Sequence, residues 1–280
     1  MFSIPARLSR HRFRYDPQAI SPALLEDLRK RLSVFRVENP EVTIAIPAYN
    51  EEKNLLNTLS SLADIQTRFR TELIIANNNS KDRTQEILDA CGVRSVLVTD
   101  QGIGYARQAA LLQAKGTYVL NADCDCLYPT TWVDALVTPL ETGEASCTYG
   151  TYSFLPSELN SRTALAFHEL ISRIGFRLRI WKGLEFINVL GFNFAFRRAD
   201  GLAVGGFRVD AGHQGTVSAQ GVCEDGWMAM SLLDKGKIVH VTKGAHVWTD
   251  DRVLNRDGGV WKAFRKRIRV EMSRVLKKPA

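Results

Sequence analysis

The chain has 280 residues, of which 45% are hydrophobic and 24% charged, a composition that excludes a disordered chain and is sufficient for one large core. No apolar run approaches the roughly 18 residues of a membrane span, nothing near the start resembles a secretion signal, and five cysteines at irregular spacing make no disulfide framework, so the expected setting is the cytoplasm. The formal charge of +7 points to an anionic partner, whether a phosphorylated substrate, a phospholipid surface or nucleic acid.

Residues 1–40 read as a helical extension. Ser21 and Pro22 suit an N-cap and first helical position, and Leu25, Leu28, Leu32 and Phe35 recur at helical spacing. From Val42 strands and helices alternate. Val42–Ile46 is a short strand stopped by Pro47, and Asn54–Leu62 is a helix. Leu73–Ala76 is a second strand, followed by the polar turn Asn77-Asn78-Asn79-Ser80 and a helix over Thr84–Ala90. Val93–Val98, Tyr105–Ala114 and Thr117–Asn121 continue the pattern as strand, helix and strand. Such spacing implies parallel β-α-β units, in which ligands bind beyond the carboxyl ends of the strands. That places Pro47–Glu52, Asn77–Asp82 and Asp123–Cys126 at the expected site.

Beyond residue 146 the pattern is less regular. Phe167, Ile171, Ile174, Leu178 and Trp181 form a helical stripe that is expected to face the core. Gly191–Phe196 reads as a strand, Gly201–Phe207 as a glycine-rich turn, Arg208–Val222 as a long loop that shapes the acceptor site, and Glu224–Leu233 as a helix. Trp261, Phe264, Ile268, Met272 and Val275 lie on one face of a basic C-terminal helix within 261–278, which suits either an anionic membrane or simple packing on the domain. No nucleic-acid motif accompanies the charge.

Asp123-Cys124-Asp125 follows a buried strand directly. On extended backbone, residues two apart share a side, so both carboxylates can face one hard divalent ion while Cys124 points away. A structural zinc site on Cys124 and Cys126 is not expected, because no second ligand pair follows at zinc spacing. Glu224-Asp225 opens a helix, where acidic residues also occur simply because they complement the helix dipole; one of the two could instead serve as a general base.

The segment Val42–Glu52 resembles the opening strand and nucleotide-binding turn of inverting family-2 glycosyltransferases. Glu72–Thr84, Gly104-Tyr105-Ala106-Arg107-Gln108, Asp123-Cys124-Asp125, Gly205-Gly206-Phe207 and Glu224-Asp225 follow in that family's order, over about residues 41–250. The resemblance implies an α/β fold of the GT-A type, a Rossmann-like, mostly parallel sheet flanked by helices. Residues 41–145 would form the nucleotide-sugar half, 146–250 the acceptor half of the same domain, and 251–280 a basic tail. It further implies that Pro47, Ala48, Tyr49, Glu51, Asn77, Arg107 and Asp123 bind the donor, that Asp125, Asp123 and His246 hold Mn²⁺ or Mg²⁺, and that Asp225 is the general base with Glu224 beside it. Asn77 stands where the family commonly has aspartate, so the nucleobase preference is open.

The activity so implied is inverting transfer of a sugar from a nucleoside-diphosphate sugar to the hydroxyl of a saccharide or lipid-linked acceptor. Two alternatives compete with it. A sugar-phosphate nucleotidyltransferase would place a glycine-rich loop after the first strand, where this chain has Pro47–Glu52; a catalytically silent nucleotide-sugar binder would not need Asp125 and Asp225. A dinucleotide-binding reading of Gly102-Ile103-Gly104 lacks the third glycine.

Overall fold

A computed structural model describes residues 3–13, 16, 20–207, 223–256, 259–260, 262–265 and 269. Its strands are β1 (Val42–Ala48), β2 (Thr71–Asn77), β3 (Arg94–Leu97), β4 (Tyr118–Asn121), β5 (Cys126–Leu127), β6 (Cys147–Tyr149), β7 (Thr151–Phe154), β8 (Phe194–Arg197), β9 (Ile238–His240) and β10 (His246–Thr249). The helices are α1 (Ala6–Ser9), α2 (Pro22–Leu32), α3 (Leu55–Leu62), α4 (Thr84–Ala90), α5 (Ile103–Gln113), α6 (Trp132–Glu141), α7 (Arg162–Trp181), α8 (Arg198–Ala203), α9 (Glu224–Leu232) and α10 (Arg252–Arg256).

The apolar runs of β1 and β2 are buried almost throughout because both faces of their sheet are covered. Seven strands lie in the order β3-β2-β1-β4-β8-β6-β9, and β5-β10-β7 form a smaller sheet. β1 runs parallel to β2 and β4, β2 is parallel to β3, and β8 is antiparallel to both β4 and β6. Alternation along β1 divides the core. Ile44 and Ile46 pack with Leu28, Leu59, Trp132 and Leu136, from α2, α3 and α6. Ala45 faces Ala106, Ala110 and Leu111 of α5 and Met228 of α9.

Four expectations need correction. Residues 201–203 belong to α8, so the glycine-rich turn is confined to residues 204–207. Pro47 does not stop β1, which continues to Ala48. The register with β4 ends at Ala45; Ala45 and Pro47 face that same side, so the missing N–H of proline forfeits no ladder bond. β8 begins only at Phe194, and Gly191 lies in the turn before it. The stripe of α7 does not face the core: Phe167, Ile174, Leu178 and Trp181 are exposed, while His168, Glu169 and Arg179 of the same helix are buried. The expected loop over Arg208–Val222 and most of the basic tail over 261–278 lie outside the described residues. Where the tail's start is described, Ala263 packs with Phe154, Leu165, Leu254 and Val260.

Candidate active site

The carboxyl ends of β1, β2 and β4 open on one side of the sheet, and hydrogen bonds between their turns hold that opening in shape. After β1, Asn50 adopts left-handed backbone with φ of 54°. Its N–H donates to Ser80 Oγ at 3.0 Å, and its Oδ1 accepts from Lys81 N at 2.8 Å. The Glu51 N–H donates to Thr84 Oγ1 and the Glu52 N–H to Asp82. The turns after β1 and β2 therefore form a single unit, with Tyr49 half-exposed at its rim and Ala48 buried.

Asn77 and Asn78 are both buried. Asn77 Nδ2 donates to Gln85 and its Oδ1 accepts from Ser80 N, so its amide is already engaged in the turn. Asn78 ties β2 to the loop after β3. Its Nδ2 donates to the carbonyls of Val98 and Asp100, and its Oδ1 accepts from Gly102 N at 2.7 Å and from Gln101. This fixes the start of α5, and with it Arg107 one turn further on. Gln108 beside it accepts from the Phe207 N–H at 2.7 Å. Gly206, at φ of 71°, lies so close to Gln108 that any Cβ there would clash.

Arg107 is buried at the centre of the first charge cluster. Its Nη2 donates to Asp123 Oδ1 at 2.9 Å, its Nη1 to the Gly191 carbonyl at 2.8 Å, and its Nε lies 3.6 Å from Glu224 Oε1. The Gly191 N–H donates to Asp225 Oδ2. A Cβ on Gly191 would sit 2.1 Å from Arg107 Nη2, so only glycine permits this approach. Asp225 Oδ1 is buried and has no hydrogen-bond partner among the described residues, with the Cys223 thiol beside the carboxylate. Burial opposes the charge of Arg107, yet Asp123, Asp225 and Glu224 more than offset it and hold the guanidinium protonated. Burial raises the pKa of Asp123, as do Asp125 and Asp225, against the pull of Arg107. Glu224 is raised by burial and then by Asp225.

A second cluster adjoins the first. Arg252 Nη2 donates to Asp125 Oδ2 at 2.7 Å and to Glu51 Oε1 at 2.8 Å, and Arg252 Nε lies 3.6 Å from Asp250. Cys124, between the two aspartates, is buried with its thiol against the Pro47 carbonyl. Burial raises the pKa of Glu51 and of Asp250, even with Arg252 beside them. Arg252 and Asp250 were not singled out in the sequence. The signal that could have found them is the charged run Asp250-Asp251-Arg252 directly after the strand of His246, the same position after a strand that drew attention to Asp123 and Asp125.

Asp123, Asp125, Glu51, Arg107, Glu224 and Asp225 thus come together, whereas His246 does not. It begins β10, and Asp250, beyond that strand's other end, is the residue that meets Asp125, through an N–H to carbonyl bond of 3.1 Å. The two ring nitrogens of His246 lie within hydrogen-bond distance of Thr151 Oγ1 and Ser153 Oγ, and burial lowers its pKa. Its hydroxyl partners account for a half-buried strand histidine without a metal.

The donor chemistry suits a divalent ion. Glu51, Asp123, Asp125, Glu224, Asp225 and Asp250 outnumber the guanidinium groups of Arg107 and Arg252, which leaves an excess of hard oxygen ligands and negative charge. Among the described residues no three Asp, Glu, His or Cys side chains converge as a complete metal cage. Mg²⁺ and Mn²⁺ commonly take one or two carboxylates and complete the shell with water and phosphate oxygens.

The chain is similar to several known glycosyltransferases. Probable glycosyltransferase YdaM of Bacillus subtilis is 27% identical over 177 residues, covering 58% of this chain and 41% of that protein. Dolichyl-phosphate beta-glucosyltransferase ALG5A of Trichomonas vaginalis is 33% identical over 106 residues, 33% of each chain. The chain thus spans about a third to two fifths of the length of these curated relatives. Glucosyl-3-phosphoglycerate synthase of Mycobacterium tuberculosis, solved with Mn²⁺ and UDP-glucose, superposes with a TM-score of 0.51 at 19% identity, over 91% of this chain and 84% of that one. The model of the glycosyl transferase family 2 matches residues 43–200. Because that match spans more than half of its length, the chain belongs to glycosyl transferase family 2, with a fold of the GT-A type.

Proposed function

We propose that the chain transfers a hexosyl group, with inversion, from a nucleoside-diphosphate sugar to an acceptor hydroxyl, with Asp225 as general base. One observation carries this reading: Asp225 is a buried carboxylate with one oxygen fixed by the Gly191 N–H and the other without a hydrogen-bond partner among the described residues, next to Arg107 and Asp123. A base must be held in place yet keep an oxygen for the incoming proton, and this carboxylate does both.

Residues 41–145 would hold the donor, with Pro47, Ala48 and Tyr49 at the base and ribose, and Glu51, Asn77, Arg107 and Asp123 behind them. The acceptor half would be 146–250. Asp125 and Asp123 would hold Mn²⁺ or Mg²⁺, a role supported by their oxygen chemistry and by the Mn²⁺ of the mycobacterial neighbour. Such an ion, when bound, stabilises the negative charge gathering on the leaving diphosphate. Arg107 keeps Asp123 oriented and carries positive charge into the same space. Asp225 takes the acceptor proton as the hydroxyl attacks C1 opposite the departing phosphate. The new glycosidic bond and the broken C1–phosphate bond then account for both electron pairs without a sugar-enzyme intermediate.

Asp225→Asn retains an oxygen for the Gly191 N–H but accepts no proton. Turnover should fall by about a hundredfold or more, with nucleotide binding by calorimetry unchanged. Unchanged turnover would remove Asp225 from this role, and loss of both would move it to the donor site.

A second reading is favoured by the dolichyl-phosphate specificity in the name of the Trichomonas relative. If the acceptor is a lipid phosphate, whose second pKa is about 6, it is largely ionised at neutral pH and needs no base. Asp225 would then serve to fix Gly191 and Arg107. Assaying Asp225→Asn with a polyprenyl phosphate and with a saccharide separates the two, since only the saccharide reaction would lose the full factor.

A further inference from the structure

Helix α7 is amphipathic in the reverse sense to a water-facing helix. Several of its charged and polar residues point inward: Glu169 accepts from Phe154 N at 2.8 Å and from Ser153 Oγ at 3.1 Å and pairs with Arg162, while Arg179 donates to Asn188. Leu165 and Phe176 also pack inward, but most of its large apolar residues point outward. Phe167, Leu170, Ile174, Leu178 and Trp181 follow at spacings of three and four, which keeps them on one face, and they are 50%, 57%, 60%, 40% and 80% exposed. Exposed Arg173 and Arg177 flank the stripe, Lys182 follows it, and the helix's only acidic residue is the buried Glu169.

We infer that this face of α7 is a docking surface for an anionic lipid bilayer, lying flat in the headgroup region. Among the described residues no helix is long and apolar enough to cross a membrane. An apolar stripe edged by arginines and ending in a tryptophan instead suits the interface, where the rings and aliphatic chains enter the acyl boundary and the guanidinium groups meet lipid phosphates. Charge decides against a second copy as the occupant. A second copy paired face to face would set Arg173 and Arg177 against their own counterparts. The inference needs nothing of the reaction assigned above. It nevertheless places the bilayer beside the site, because the inner side of α7 packs on residues Glu185–Asn188, which in turn pack on α9, the helix that carries Glu224 and Asp225.

The test uses the full chain with vesicles of phosphatidylcholine alone and of phosphatidylcholine containing about 30% phosphatidylglycerol. The wild-type chain should sediment with the anionic vesicles and be released as salt rises. Ile174→Glu with Leu178→Glu should lower that partition by about tenfold or more. Because both side chains face solvent, its melting curve should match that of the wild-type chain. As a milder check, vesicles with brominated acyl chains should quench a part of the tryptophan emission that is missing in Trp181→Phe. Equal sedimentation of the double variant would overturn the inference and transfer any binding to the tail. Absence of vesicle binding by the wild-type chain, or a dimer in solution that the double variant dissolves, would overturn it as well.

Discussion

Glu224 and Asp225 are adjacent on the first turn of α9, yet their environments differ. Asp225 is fixed by the Gly191 N–H, whereas Glu224 lies 3.6 Å from the Nε of Arg107. Burial and the neighbouring Asp225 raise the pKa of Glu224. The sign of the linkage follows: a carboxyl raised in the folded state binds its proton more tightly there than in the unfolded chain, so its contribution to stability falls as pH rises past the unfolded value of about 4. Glu224→Gln should therefore melt higher than the wild-type chain at neutral pH, and the gain should vanish in mild acid, where the wild-type carboxyl is also neutral. A melting difference that does not change with pH would refute that assignment. Arg107 presents the opposite case. Arg107→Met would leave Asp123, Glu224 and Asp225 facing one another without their buried counter-charge and should cost about 3–5 kcal/mol in urea unfolding. A cost near that of a surface substitution would show that the cluster is solvated.

At the scale of elements, the site depends on side chains that bind one turn to the next. Asn78 joins the end of β2, the loop after β3 and the start of α5 through bonds at both ends of its amide. Asn78→Ala strands the Gly102 N–H and two carbonyls in a buried place, a loss of about 1–3 kcal/mol. It should also weaken nucleotide binding, because α5 positions Arg107. Retained donor affinity with lowered stability would confine Asn78 to the fold. The strand-helix alternation from Val42 to Asn121 was legible because its apolar runs are short, β-branched and separated by polar turns; Thr84–Ala90 coincides with α4 from end to end. Pro47 misled because proline is read as a breaker, and only the register with β4 reveals that its side of the strand is unpaired. α7 misled for another reason. Helical periodicity identifies an apolar face but carries no information about which side the rest of the molecule covers.

For the whole molecule, the surplus of carboxylates over arginines predicts that cation and nucleotide stabilise it together. Mn²⁺ with a nucleoside diphosphate, each at about a hundred times its dissociation constant, should add at least about 2.7 kcal/mol, seen as a raised melting temperature. Asp125→Ala should remove the Mn²⁺-dependent part of that gain while leaving the melting of the free chain near its wild-type value. A full Mn²⁺ response in the variant would refute Asp125 as a ligand. The sequence by itself determined the central strand pattern, the family resemblance and the Asp123-Cys124-Asp125 and Glu224-Asp225 motifs, because periodicity and residue chemistry are local and survive without coordinates. Only the tertiary structure decided that Arg252 reaches back to Asp125 and Glu51, that Gly191 leaves room for Arg107 beside Asp225, that His246 is spent on Thr151 and Ser153, and that α7 turns its apolar face outward. Each of these is a contact between segments far apart in the chain or a choice of covered side, and both are set by how the sheets and helices pack rather than by the residues nearby.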